Sequence, residues 1–205
     1  MNEQQKQVLI GGVFVVLVVV LGLGLALISN NQSNTQPVTS SLASPISQDD
    51  HVRGISSSSV SVIEYGDFEC PACGAYEPVV EQLQKTYGVR VTFAFRQFPL
   101  YQVHQNAMIS AQAAEAAANQ GKFWEMHDML YAKQSDWSGL SPAEAAKKFT
   151  TYAQSIGLDV GQFSADLTAT STMERIAKQL ASGENAQVDH TPTFFVNLKQ
   201  YHHHP

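Results

Sequence analysis

Val60-Ser61-Val62-Ile63-Glu64-Tyr65-Gly66-Asp67-Phe68-Glu69-Cys70-Pro71-Ala72-Cys73 is the stretch on which the reading of this chain turns. Val60 to Tyr65 is rich in β-formers and predicts a strand. Gly66 to Glu69 leads into two cysteines. From Gly74 the spacing becomes helical: Ala75, Val79, Leu83 and Tyr87 recur every fourth residue, with Tyr76 and Val80 beside them. Gly88 is placed to end that helix, and Pro78 inside it is expected to kink it. Val89, Val91, Phe93 and Phe95 then alternate with Arg90, Thr92 and Ala94, which predicts a second strand. The order strand, cysteine pair, helix, strand is a βαβ unit. It puts the pair at the carboxyl end of the first strand, where sites of open α/β sheets gather.

The chain has 205 residues and two cysteines, both in this motif. A structural disulfide framework needs more cysteines, more widely spread. A bridge across two intervening residues closes so small a loop that it constrains the unfolded chain weakly. Cys70 and Cys73 therefore read as a redox pair. The thiolate is the attacking species in disulfide exchange. Cys70 stands at a helix start, where unpaired N–H groups and the positive end of the helix dipole lower its pKa. Cys73, one turn on, is the resolving thiol and the one expected to be more buried. Pro71 suits the first helical turn. The other reading of such a pair is half a zinc site, which needs two further ligands. There is no second cysteine pair, and none of the seven histidines shows zinc-finger spacing, so no metal and no cofactor is assigned.

The middle of the chain is helical. Val103 to Asn119 is alanine-rich, Phe123 to Lys133 carries Phe123, Met126 and Leu130 on one face, and Ser141-Pro142-Ala143-Glu144 is a capping box before a helix that Gly157 closes. Shorter helical pieces follow at Val160–Leu167 and Ser171–Gln187. Together they form a helical insertion of about 102–187 between the halves of a small sheet. Phe123, Trp124 and Trp137 read as core, and His104, His127 and His190 as structural. Thr193 to Asn197 returns to strand. In Thr191-Pro192-Thr193 the proline marks a strand boundary or a cis bond lying against the cysteines; only about 5–6% of X–Pro bonds are cis, so Pro192 alone leaves both open. Asp67 and Glu69 flank the motif. Either one passing a proton to Cys73 is one reading; the other is a helix-start acid, and an acid beside Cys70 opposes its thiolate.

Residues 8–28 are 21 uncharged residues, long enough for a helix that crosses a bilayer. A cleavable signal, the alternative, has a shorter apolar region of about 7–15 residues. Residues 1–7 form a cytoplasmic tail: Lys6 precedes the run and the next cation is Arg53, which orients the N-terminus inside. Residues 29–59, rich in Ser, Asn, Gln, Pro and Thr, read as a flexible linker. A net charge of -6 carries no basic footprint for nucleic acid. A domain outside the membrane is also where a disulfide stays oxidised.

Four stretches carry a resemblance: Tyr65 to Cys73, Phe95-Arg96-Gln97-Phe98-Pro99-Leu100, Gln120-Gly121-Lys122-Phe123-Trp124-Glu125-Met126-His127-Asp128, and Thr191 to Asn197. In this order they resemble the DsbA-like (DsbA/BdbD-type) branch of the thioredoxin superfamily, in a domain spanning 60–205. The resemblance implies an α/β thioredoxin-like fold with an inserted helical domain. It implies Cys70 as nucleophile, Cys73 as resolving cysteine, a redox disulfide between them, and a cis Pro192 preceded by Thr191, with Pro71 and Ala72 in the active-site loop. It further implies oxidation of extracytoplasmic protein thiols and reoxidation by a quinone-linked membrane partner, DsbB- or VKOR-like. Family members also include reductases and isomerases, and a non-catalytic peptide-binding module is a third reading. Ala72 stands where the best-known enterobacterial oxidase has histidine; it cannot donate to the thiolate, so a milder oxidant is expected. The family fold continues with a paired strand and a closing helix, and Leu198 stands where the family turns with Gly. Leu198 to Pro205 reads as neither, so a truncated end with an unpaired strand edge is expected.

Overall fold

The computed structural model describes residues 42–55 and 58–201. The tail at 1–7 and the anchor at 8–28 lie outside the described residues, among which no helix is long and apolar enough to cross a membrane. The domain is built on β1 (His51–Gly54), β2 (Val60–Gly66), α1 (Pro71–Tyr87), β3 (Val91–Gln97), α2 (Ala107–Ala118), α3 (Phe123–Ala132), α4 (Pro142–Ser155), α5 (Val160–Leu167), α6 (Thr170–Asn185), β4 (Thr193–Val196) and β5 (Lys199–Gln200). The sheet order is β1-β3-β2-β4-β5. Only β2 and β3 are parallel, as the βαβ reading requires; the other pairs are antiparallel.

Alternation decides which side of the sheet each residue serves. Ile63, Tyr65, Ala94 and Phe195 face one layer, closed by Ala43, Phe98, Ala186 and Val188. Val62 and Phe93 face the other, under Val80 of α1. Phe95 continues that second face into a third cluster, where Phe68 and both cysteines pack with Met126, Leu130, Trp137 and Phe149 of the insertion. Gly66, the last residue of β2, has no room for a side chain, because a Cβ there would meet the Phe95 ring at 2.5 Å. Helix α4 begins and ends as expected: Ser141 and Glu144 form the reciprocal capping box, and Gly157 takes φ 80° just beyond it.

Helix α1 departs from the apolar stripe. Its buried positions are Cys73, Glu77 and Val80, while Val79 is 53% exposed and Tyr87 45%. The helix starts three residues earlier than the apolar spacing indicates and runs through Pro78 as one element. β3 begins at Val91, leaving Val89 76% exposed. Val103 is likewise exposed in a turn, and α2 starts at Ala107.

Two expectations at the ends of the domain are corrected. Residues 29–59 are not a tether throughout, because the described part from Leu42 to Gly54 packs on the sheet. His51–Gly54 pairs with β3 as an edge strand, and the Ala43 N–H donates to the Leu198 carbonyl at 2.9 Å. The cause is Arg96. Its side chain is buried in the sheet, and a buried cation needs a counter-charge. Asp50 supplies it at 2.6 and 2.9 Å, with Ser44 Oγ at 3.0 Å, Pro45 O at 3.1 Å and Tyr65 Oη at 2.9 Å completing the guanidinium. No apolar run announces this anchor, so polar composition conceals it. At the other edge, β4 is not left unpaired. Asn197 and Leu198 take φ 47° and 69°, a two-residue turn that returns the chain as β5 against β4. Leu198 accepts a conformation suited to Gly while its side chain packs against the Ile63–Phe195 layer.

Breaking a buried ion pair from one side strands the other charge and costs about 3–5 kcal/mol. Urea denaturation of Asp50→Ala is expected to show a loss of that size. Pairing it with Arg96→Met should recover part of the loss. A single-variant loss below about 1 kcal/mol, the value of a surface pair, would mean that Arg96 does not anchor this segment.

Candidate active site

Cys70 is the N-cap of α1, with Pro71 at the first helical position. Both cysteines are free thiols, Cys70 6% exposed and Cys73 1%. Pro71 and Ala72 lie exposed on the first turn. The Thr191–Pro192 bond is cis, which decides between the two readings of that proline. Thr191, 121 residues away in sequence, sets its carbonyl 3.3 Å from Cys70 Sγ, where it accepts a hydrogen bond while Cys70 is protonated. Its hydroxyl is buried without another partner and faces the same sulfur. The structure thus brings Thr191, the residue before the cis Pro192, against Cys70 at the start of α1.

The two sulfurs differ sharply. Cys70 is pushed down to about 5 by the hydrogen bond from Cys73, against the opposing effect of burial, with Thr191 and the N–H groups of Cys73 and Ala72 adding to the fall. Cys73 is pushed well up by burial, then by its role as donor to Cys70 and by the nearby Glu64 carboxyl. One proton shared between the pair therefore resides on Cys73, and Cys70 is the thiolate.

Glu64 is the residue that sequence reading missed. It lies on β2 on the same face as Val62, beneath α1, and is almost wholly buried. Burial, followed by Glu77 and Cys70, holds its carboxyl well above the usual carboxylate range, and its Oε2 has no partner. An acid at an apolar-face position of a buried strand is the signal that could have found it. Glu77 sits one turn after Cys73 on the buried side of α1, with both oxygens unpartnered. Burial and then Asp128 push it up to about 7. Glu77, His127 and Asp128 each bring one ligand atom within 4.8 Å of the others. Asp128 is already paired with Arg53 at 2.6 Å and His127 Nδ1 at 2.9 Å, so this group is charge-compensated by the protein itself. His127 is enclosed by Phe95, Trp124 and Tyr131 rings at 4.9 to 5.0 Å, and burial lowers its pKa.

Asp67 and Glu69 hold the turn. Asp67 accepts from the N–H groups of Glu69 at 2.8 Å and Leu100 at 2.9 Å, and its carbonyl accepts from Cys70 N–H at 3.1 Å. Glu69 accepts from the Asn106 N–H at the start of α2. Gln134 donates to the carbonyls of Phe68 at 2.7 Å and Cys70 at 2.9 Å. His190 pairs with its neighbour Asp189 at 2.6 Å. Chemically, the site offers an activated sulfur, a buried partner thiol, an unpaired carboxyl within its electrostatic reach and the backbone of Thr191 in the bend before β4.

This fold and this sulfur pair define a thioredoxin-like dithiol protein. Residues 47–205 match the model of a family described as Thioredoxin. The chain belongs to that family. It is similar to a thioredoxin-like oxidoreductase from Silicibacter pomeroyi (TM-score 0.62, 26% identity, 75% of this chain and 83% of that one). It also resembles oxidised BdbD from Bacillus subtilis in fold (TM-score 0.68, 22% identity, 79% and 89%). Curated relatives are named Na(+)/H(+) antiporter NhaA: one from Salinispora tropica is 43% identical over 77% of this chain and 23% of its own length. One from Mycobacterium sp. strain KMS is 34% identical over 93% of this chain and 31% of its own length. The chain thus spans under a third of the length of these relatives.

Absorbance of the reduced protein at 240 nm should rise with a midpoint near pH 5 and lose that step in Cys70→Ser. Because Cys70 is depressed from about 9 to about 5, the reduced form gains stability that is complete above 9 and lost as pH falls through 5. Reduced wild type, compared with Cys70→Ser, should become more stable to urea between pH 5 and 9; a flat or opposite trend contradicts the assignment.

Proposed function

We propose that this chain is a thiol–disulfide oxidoreductase that introduces disulfides into extracytoplasmic proteins. The observation that carries the reading is the asymmetry of the pair, Cys70 low and Cys73 high. A substrate thiolate attacks Cys70 Sγ of the Cys70–Cys73 disulfide. That bond breaks, a mixed disulfide forms at Cys70, and Cys73 departs, taking a proton from Glu64. A second substrate thiolate attacks the substrate sulfur of the mixed disulfide and expels Cys70 as its stable thiolate. Two electrons end on the dithiol, and a quinone-linked membrane partner, DsbB- or VKOR-like, is the proposed acceptor that restores the disulfide. A stabilised reduced form makes the disulfide oxidising, which favours oxidase over reductase or isomerase. The edge at Thr191 and Pro192 is where an extended substrate segment would lie.

We also propose that residues 8–28 anchor the domain in a membrane, with the catalytic part outside. Support comes from the Mycobacterium match. About 14 residues of this chain lie outside it, fewer than the 28 that end with the apolar run, so the match takes in part of that run. Those relatives carry the name of a membrane antiporter, which suits a domain held at a membrane.

Equilibration with glutathione should place the Cys70–Cys73 couple on the oxidising side of the thioredoxin range, about -270 mV. A more reducing value would sink the oxidase reading. Cys70→Ser should abolish exchange, and Cys73→Ser should trap a mixed disulfide with a reduced peptide. Glu64→Gln should slow exchange at pH 7 about tenfold or more while Cys70 still titrates as a thiolate. An unchanged rate would remove Glu64 from the mechanism.

A further inference from the structure

Asp67 is the most heavily used carboxylate of the site. Its side chain has no exposed surface, and besides the Glu69 and Leu100 N–H groups it meets His104 Nδ1 at 2.7 Å. Its main chain serves both cysteines: the carbonyl takes the Cys70 backbone N–H at 3.1 Å, and the N–H faces the Cys73 sulfur. Two of the three partners of the carboxylate, Leu100 and His104, come from the segment between β3 and α2. That segment is not fastened by apolar packing at its tip, because Tyr101 is 55% exposed and Val103 74%. The polar contacts to Asp67 fasten it instead.

A carboxylate is acceptor-only, so His104 Nδ1 carries a hydrogen. This fixes the neutral tautomer as Nδ1–H, with Nε2 as acceptor. The ring side chain is 21% exposed. Asp67 and Glu69 are the acids that face it, and Glu69 is held separately by Asn106. We infer that His104 is a positioning residue for the dithiol: its Nδ1–H holds Asp67 in the orientation from which the main chain of that residue fixes the Cys70 backbone and meets the Cys73 sulfur. The inference rests on the proposed roles of Cys70 and Cys73.

Three variants of the full chain test it. His104→Asn places an amide donor where Nδ1 stands, His104→Gln places one nearer Nε2, and His104→Leu has none. The readouts are the alkylation rate of reduced protein by iodoacetamide at pH 6, the equilibrium constant with glutathione, and the tautomer from ¹⁵N NMR of the wild-type ring. The wild type should show Nδ1–H. Gln and Leu should each lower the alkylation rate about fivefold and move the glutathione constant by a similar factor, the scale of one lost hydrogen bond. Asn should return both to within about twofold of wild type on that same scale. Asn behaving like Gln, all three behaving like wild type, or an Nε2–H tautomer each overturns the inference. Should Leu fail to fold, the Asn and Gln pair still decides. Wild type without any glutathione exchange would strike the underlying dithiol reading, and the tautomer would still judge His104.

Discussion

A thiolate almost out of reach of water has to be solvated by protein. Cys70 is 6% exposed, so the water it would lose on burial must be replaced by donors already in place. The start of α1 provides them in the N–H groups of Ala72 and Cys73, joined by the Cys73 thiol and the Thr191 hydroxyl. None of these works unless the helix start is rigid. Hence the turn from Asp67 to Cys70 is gripped from outside, by Leu100 and His104 through Asp67, by Asn106 through Glu69 and by Gln134 through two carbonyls.

The acids around the pair would suppress the thiolate if all of them were charged. They differ by solvation. Glu64 and Glu77 are buried without partners, so each favours its neutral form and opposes Cys70 little when the thiolate forms. Asp67 is also buried, but three donors surround it. The same burial that silences Glu64 equips it to hold a proton within electrostatic reach of Cys73, where a departing thiolate needs one.

Much of this was legible in sequence because it obeys local rules. Strand, helix start and cysteine spacing placed Cys70 and Cys73, and the capping box placed Ser141; Pro192 alone left strand boundary and cis bond open, and only the resemblance favoured the cis bond that the structure has. What escaped was settled by long-range electrostatics. Glu64 and Glu77 look like surface acids to any rule that puts charge outside, and their burial appears only when β2 meets α1. Asp50, in a segment whose serines and prolines read as tether, stands 46 residues from Arg96 on β3. The stripe on α1 misled for the same reason: Glu77 occupies a core position, so the apolar residues beside it marked the wrong face.

The helical insertion is part of the chemistry rather than an appendage to the sheet. Both cysteines belong to the packing cluster of Phe68, Met126, Leu130, Trp137 and Phe149, not to either layer centred on β2. Gln134 and Asn106, which hold the turn, are insertion residues, and Tyr131 presses close enough that a side chain on Gly66 would meet its hydroxyl at 3.0 Å. The insertion therefore sets the dielectric around the sulfurs and the geometry of the donors at once. A sheet with α1 alone would leave Cys73 open to water, its pKa would fall toward that of a free thiol, and the asymmetry that separates attacking from resolving sulfur would narrow. Burial by the insertion raises Cys73, and the proton kept there is the one whose hydrogen bond lowers Cys70. The two shifts are one effect, and its source is the apolar packing of α3 and α4 over the end of β2.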